Sequence, residues 1–255
     1  MRFVLCDLDG VVWLARQAIP GAPDAIARLR ATGRRVMFVT NNSFALLGDQ
    51  EAALAAIGVP AVDDVATSAQ AAAFLVEPGE TVLVCGGPGL YEAVSARGAT
   101  PVAQGPADAV IVGFHRDFDY MRLQIASNAV RNGARLLATN DDATYPTPEG
   151  LIPGGGAILA AVATASGATP MIAGKPYAPM ASLVRERCGP EFGSLTAVMV
   201  GDRWSTDGLF AEALGCPFAL VRTGVTPAGA SVEGAVAVDM PDLAAVADVI
   251  TGHRS

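Results

Sequence analysis

Apolar residues in this chain gather in short unbroken runs that stop abruptly at acids, hydroxyls or amides. Arg2–Cys6 is the first and closes on Asp7-Leu8-Asp9-Gly10; Arg35–Val39 is the second and closes on Thr40-Asn41-Asn42-Ser43. Similar runs follow at Thr81–Cys85, Ala109–Val112, Arg135–Ala138, Ala197–Val200 and Phe218–Val221. Runs this short, apolar at successive positions, predict strands buried on both faces of a parallel sheet. Between them the spacing becomes helical. Ala22, Ala25, Ile26 and Leu29 share one face of Ala22–Ala31, which opens after Pro20-Gly21 and is closed by Gly33. Ala45–Ile57, closed by Gly58 and Pro60, and Ser68–Leu75 also read as helices. This alternation predicts an α/β fold with a parallel sheet. Ligands of such sheets bind beyond the carboxyl ends of the strands, where Asp7, Asp9, Thr40, Asn41 and Asp202 fall. Pro78-Gly79 and Gly167–Pro170 are the candidate domain boundaries.

Composition narrows the class. With 255 residues, 51% of them hydrophobic and 16% charged, the chain has material for a large core in one or two domains. Its net charge of −8 argues against binding to nucleic acid or to an anionic membrane, which needs a cationic footprint. Mean hydropathy is high at +0.39, yet no apolar run reaches the roughly 18–20 residues of a membrane span. The greasiest stretch, Ala157 to Ala165, is rich in Ala and follows Gly154-Gly155-Gly156. Asp7 and Asp9 interrupt the N-terminus before any apolar signal core can form, so a cytoplasmic protein is expected. Cys6, Cys85, Cys188 and Cys216 lack the spacing of a metal or redox motif and read as reduced, buried thiols. Only His115 and His253 supply imidazoles, so acid–base chemistry falls to carboxylates.

Two acidic clusters carry the chemistry. Asp7-Leu8-Asp9 follows a buried run, where two carboxylates are costly unless paired or bound to a cation. Gly201-Asp202-Arg203-Trp204-Ser205-Thr206-Asp207 follows another. Asp202 and Asp207 complete a cation site with Asp7 whose donors are all oxygen, which suits Mg²⁺ and disfavours zinc. For Asp207 a competing role is the N-cap of a helix beginning near Gly208. Lys175, between Gly174 and Pro176, is either a fixed ammonium that holds a phosphoryl group or a solvated surface lysine. Thr40, Asn41 and Asn42 are donors suited to phosphate oxygens, or else caps of the next helix. The stretch Cys85-Gly86-Gly87-Pro88-Gly89-Leu90-Tyr91-Glu92 fails as a dinucleotide fingerprint, because Glu92 stands where the third glycine belongs. It reads instead as a strand, a turn and the start of a helix. His115, Arg116, Asp117 and Tyr145 are polar handles of the middle segment, with His115 and Arg116 expected on a surface loop. Trp13 and Trp204 are expected to pack.

DLDGVVW, FVTNNS, AGKP and GDRWSTD occur in this order, and together they resemble the four motifs of the haloacid dehalogenase (HAD) superfamily. TNNS, Thr139-Asn140-Asp141-Asp142, Tyr145-Pro146-Thr147-Pro148 and the wide gap before Lys175 resemble its class IIA branch, the NagD-like and 4-nitrophenylphosphatase-like enzymes. The resemblance spans essentially the whole chain. It implies a Rossmann-like HAD core with a parallel sheet, formed by residues 1–78 and 171–255, and an inserted α/β cap of the C2a type at 79–170 that closes over the site. It implies an Mg²⁺-dependent phosphatase acting on a small phosphorylated metabolite through an aspartyl-phosphate. Asp7 is then the nucleophile and Asp9 the general acid and later base. Thr40 and Lys175 hold the phosphoryl oxygens. Mg²⁺ is bound by Asp7, the main-chain carbonyl of Asp9, and Asp202, with Asp207 in support of the metal or of Lys175. Gly10, Asn41, Asn42 and Tyr145 are expected on the substrate side. A homodimer through the cap fits the class, with no nucleic-acid or membrane partner. Phosphotransfer or mutase chemistry on the same scaffold, or a phospho-acceptor signalling domain, are the competing readings.

Overall fold

The computed structural model describes residues 1–147 and 150–252; Pro148 of the YPTP motif and His253 lie outside them. The chain forms two compact units, one of Met1–Thr40, Gly48–Ala66 and Val184–Ser255, the other of Asn41–Leu47 and Thr67–Leu183.

The first unit is built on a six-stranded sheet in the order Val238–Met240, Phe218–Val221, Ala197–Gly201, Phe3–Cys6, Arg35–Thr40, Val65–Thr67. Phe3–Cys6 pairs in parallel with Ala197–Gly201 on one side and with Arg35–Thr40 on the other. All of its residues are buried, which accounts for its unbroken apolar run. The strand order reverses at this central strand, and in such sheets the crevice at the carboxyl ends there is the ligand position. The helix Ala22–Ala31 ends where the spacing places it: Thr32 is the C-cap, and Gly33 follows with φ +80°. It packs on the helix Leu243–Thr251, whose N-cap Asp242 accepts from the Ala245 N–H at 2.8 Å.

The second unit has its own sheet, in the order Met171–Ile172, Arg135–Ala138, Ala109–Val112, Thr81–Cys85, Thr100–Val102, parallel throughout. The glycine-rich turn after Cys85 opens the helix Pro88–Ala96 with Gly87 as N-cap. A Cβ on Gly89 would lie 2.1 Å from the Ala45 carbonyl oxygen, so close packing explains the glycine there. The Ala-rich stretch forms the helix Gly155–Ser166. Its Ile158, Leu159 and Val162 join Val110, Val112, Ala126 and Val130 in one buried cluster.

Several elements differ from the pattern-based expectation. The second helix is Leu47–Ala56, shorter than 45–57, because Asn42 Oδ1 accepts from the N–H groups of Phe44 and Ala45 and holds them in a turn. The third, Ser68–Ala73, is closed at its start by a capping box between Thr67 and Gln70. Two hairpins are added, Trp13–Leu14 with Gln17–Ala18 and Thr144–Thr147 with Gly150–Pro153. The first turns through Ala15 and Arg16 at φ 48° and 65°. A two-residue turn of this hand favours Asn-Gly, so the sequence carries no signal for it.

All four cysteines are buried. Burial pushes the thiols of Cys188 and Cys216 up to about 11 and that of Cys85 to about 12, so they stay protonated and unreactive at neutral pH. Among the described residues no helix is long and apolar enough to cross a membrane.

Candidate active site

In the first unit the carboxyl ends of two neighbouring strands bring three acids together. Cys6 is in register with Val200, and the Asp7 N–H continues the ladder to the Val200 carbonyl at 2.9 Å. Asp7 therefore emerges beside Gly201 and Asp202. Carboxylate oxygens of Asp7, Asp202 and Asp207 lie within 4.8 Å of one another, with Asp202 and Asp207 buried. Such a group is destabilised by mutual repulsion unless a cation offsets it, and its donor set of hard oxygens fits Mg²⁺.

Local structure holds each acid. After Asp7 the chain winds so that the Leu8 carbonyl accepts from Val11, Val12 and Trp13, which turns Asp9 out of the strand direction. Gly10, with φ +82°, sits where a Cβ would be 2.5 Å from Asp202 Oδ2. Asp202 Oδ2 accepts from the Val225 N–H at 2.5 Å, and its main-chain carbonyl accepts from Thr226 Oγ1 at 2.5 Å. A Cβ on Gly224 would likewise collide with that carboxylate. Asp207 lies in a wide helical turn, Trp204–Gly208, and its Oδ2 accepts from the Arg203 N–H at 3.3 Å. The helix Leu209–Leu214 has Gly208 at its N-cap and no side-chain cap bond, so the capping role is not the one Asp207 performs. Thr40 is buried at the end of its strand. Trp13 is buried, and Trp204 packs edge-on to Phe218 at 5.7 Å.

In the second unit Asn41 and Lys175 come together. Asn41 Oδ1 accepts from the Lys175 N–H at 2.8 Å, and Asn41 Nδ2 donates to the Lys175 carbonyl at 3.1 Å. Lys175 is 2% exposed, which removes the solvated-lysine reading. Tyr145 stacks on Phe114 at 5.3 Å, and Phe114 meets Phe44 edge-on at 5.7 Å, with the Arg116 guanidinium over the Phe44 ring. Arg116 is exposed and His115 half-buried; burial and then Arg122 hold the imidazole below its ordinary range.

Tyr177 donates to Asp141 at 2.5 Å, and that bond, followed by burial, pushes its hydroxyl up to about 12. A proton held more tightly in the folded chain stabilises the fold below the ordinary tyrosine value of 10.0 and ceases to do so as pH rises towards 12. Asp141→Asn is expected to bring the Tyr177 titration down towards the ordinary value, read as tyrosinate absorbance. An unchanged titration curve would refute the pairing.

The structure thus gathers Asp7, Asp202 and Asp207 in one unit and Asn41 and Lys175 in the other. Residues 224–226, which cradle Asp202, escaped the sequence reading, as did Phe44 beside Phe114. Thr223-Gly224-Val225-Thr226 follows an apolar strand as Thr40-Asn41 does, and that placement is the signal that could have found it.

A parallel α/β sheet that presents three converging acids at a strand-order switch is suited to a divalent cation and a phosphoryl group. A haloacid dehalogenase-like hydrolase model matches residues 4–100, and a HAD-hydrolase-like model matches 172–249. The D-glycerol 3-phosphate phosphatase of Mycobacterium tuberculosis is 40% identical over 232 residues, 88% of this chain but only 64% of its own length. The crystal structure of that organism's glycerol phosphate phosphatase in complex with magnesium superposes with a TM-score of 0.81 at 38% identity, covering 88% of this chain and 68% of the other. An acid sugar phosphatase of Staphylococcus saprophyticus is 34% identical over 87% of this chain and 86% of its own. A p-nitrophenyl phosphatase from Archaeoglobus fulgidus gives a TM-score of 0.90 at 25% identity, over 97% of this chain and 98% of the other. The chain belongs to the haloacid dehalogenase-like hydrolases, in their NagD-like and nitrophenylphosphatase-like branch. Because it spans less than two thirds of the mycobacterial relative, that enzyme's substrate does not pass to it by likeness alone.

Proposed function

We propose that this chain is an Mg²⁺-dependent phosphatase of a small phosphomonoester, working through an aspartyl-phosphate. The observation that carries the reading is the convergence of Asp7, Asp202 and Asp207 at the ends of adjacent parallel strands. An Asp7 oxygen attacks phosphorus and forms a P–O bond as the ester P–O bond breaks; Asp9 gives its proton to the departing alkoxide oxygen. Water then attacks the same phosphorus and surrenders a proton to Asp9, the bond to Asp7 breaks, and inorganic phosphate leaves. Splitting one displacement into two lowers each barrier. Asp7 and Asp202 hold the metal through their carboxylates, Asp9 through its main-chain carbonyl, and Asp207 supports them. When bound, Mg²⁺ neutralises charge on the transferring group. Thr40 donates its hydroxyl to a phosphoryl oxygen, and the Lys175 ammonium offsets charge on the same group.

Gly10 and Asn42 flank the reacting group, and Tyr145, backed by Phe114, contacts the rest of the substrate. Residues 1–78 and 171–255 act as core, and 79–170 as the cap that selects among esters. The protein works in the cytoplasm, as a homodimer joined through the cap. The relatives named D-glycerol 3-phosphate phosphatase and acid sugar phosphatase support small phosphorylated polyols and sugars as the first substrates to try, with nucleoside monophosphates and phosphoglycolate as comparators. Phosphate release from such a panel, with Mg²⁺ or with EDTA, tests the reading. We expect turnover that EDTA abolishes and that differs between esters. Release that EDTA leaves intact, or none from any ester, would overturn it.

A further inference from the structure

The Asn41 carboxamide is fully committed within the protein. Its oxygen accepts from the Lys175 N–H at 2.8 Å; its nitrogen donates one hydrogen to the Lys175 carbonyl and the other to Asp142 Oδ2, both at 3.1 Å. One side chain thus grips both main-chain groups of a single residue. The arrangement fixes which end of the amide is nitrogen, because a carboxylate and a carbonyl both need a donor. The Asn41 main chain is held as well, since its carbonyl accepts from Ser68 Oγ at 2.7 Å and from Asn140 Nδ2 at 2.9 Å. Asn140 Oδ1 accepts in turn from the Asp142 N–H at 3.2 Å. A Cβ on Gly174 would stand 2.6 Å from Asn41 Oδ1 and 2.4 Å from the Thr139 carbonyl, so glycine is what lets the lysine segment approach.

We propose that Asn41 is a positioning residue for Lys175 rather than a substrate donor, and that Asp142 orients its amide. Both amide hydrogens are in use, and the remaining lone pair on Oδ1 is an acceptor, the wrong polarity for a phosphate oxygen. Asn140 and Asp142, far from Lys175 in sequence, therefore set the main-chain position of the lysine. This role rests on the reading of Lys175 as the residue that holds the phosphoryl group.

The test is kcat and KM for phosphate release from the best ester, with the thermal midpoint as a check on folding. Asn41→Asp keeps the acceptor, deletes both donors and sets a carboxylate against Asp142. We expect a fall in kcat of about 100-fold, the scale of a misplacement of about 1 Å. Adding Asp142→Asn restores a hydrogen-bonded pair of reversed polarity and recovers about tenfold. In a Lys175→Ala background Asn41→Asp costs less than about threefold, because its target is gone. If Asn41→Asp does not fold, Asp142→Ala takes its place, with an expected loss of about tenfold that vanishes in Lys175→Ala. Full multiplicative losses in the Lys175→Ala background, or a raised KM at unchanged kcat, would overturn the positioning role alone. Wild-type activity in Lys175→Ala would overturn the role of the lysine itself, and the positioning role with it.

Discussion

Asp7→Asn is expected to lower phosphate release by at least about 10⁴-fold, the scale seen when a group acting in the covalent step is removed. Asparagine has nearly the same shape, and the Asp7 main-chain bond to Val200 does not depend on the side chain, so the fold survives. The change removes the oxygen proposed to attack phosphorus and one negative charge from a group of three carboxylates. A residual rate near wild type would exclude a phosphoryl-Asp7 intermediate. The fate of the phosphoryl group also separates the competing chemistries. Wild-type protein treated with acetyl phosphate should release inorganic phosphate rapidly and retain no label. A stable phosphoryl group on Asp7 would instead indicate a signalling domain, and its discharge to an added sugar hydroxyl would indicate a transferase.

Legibility followed the range of the interactions. The strand Phe3–Cys6 and the helix Ala22–Ala31 could be read because their signals are local: an apolar run, and a helical period closed by glycine. The three acids could be read because parallel topology sends every strand's carboxyl end to the same edge. The turn at Ala15-Arg16 could not, since its residues do not favour the conformation they adopt. The cradle of Asp202 is marked in the sequence only by its place after a strand; its contacts join Asp202 to Gly10 and to residues 224–226, more than 20 positions away from it. Asn41 is the instructive case. Its place after a strand marks it as a candidate, but the polarity of its side-chain contacts is set by Asp142 and Lys175, which no local pattern contains. Spacing located the residue; only three-dimensional hydrogen bonding distinguishes a substrate donor from a residue that holds another in place.

Asp202→Asn separates the metal from the fold. At about 100 times its Kd, a ligand that binds only the folded state stabilises it by about 2.7 kcal/mol. Mg²⁺ should therefore raise the wild-type thermal midpoint by several degrees, and EDTA should reverse the rise. In Asp202→Asn the amide oxygen still accepts from the Val225 N–H and still fits between Gly10 and Gly224, so the metal-free protein should melt close to wild type. The lost charge weakens a site that attracts a divalent cation through three carboxylates. A loss of about 100-fold in affinity, the upper range for perturbing a metal's surroundings, leaves only about 0.4 kcal/mol of stabilisation at the same Mg²⁺ concentration. The midpoint should then hardly respond to Mg²⁺, and turnover should fall by at least about 10²-fold. Asp202→Ala lacks the acceptor, loses the part-buried bond from the Val225 N–H and should melt lower with or without Mg²⁺. An Mg²⁺-dependent rise as large in Asp202→Asn as in wild type would mean that the ion binds elsewhere, and the three converging carboxylates would then need another explanation.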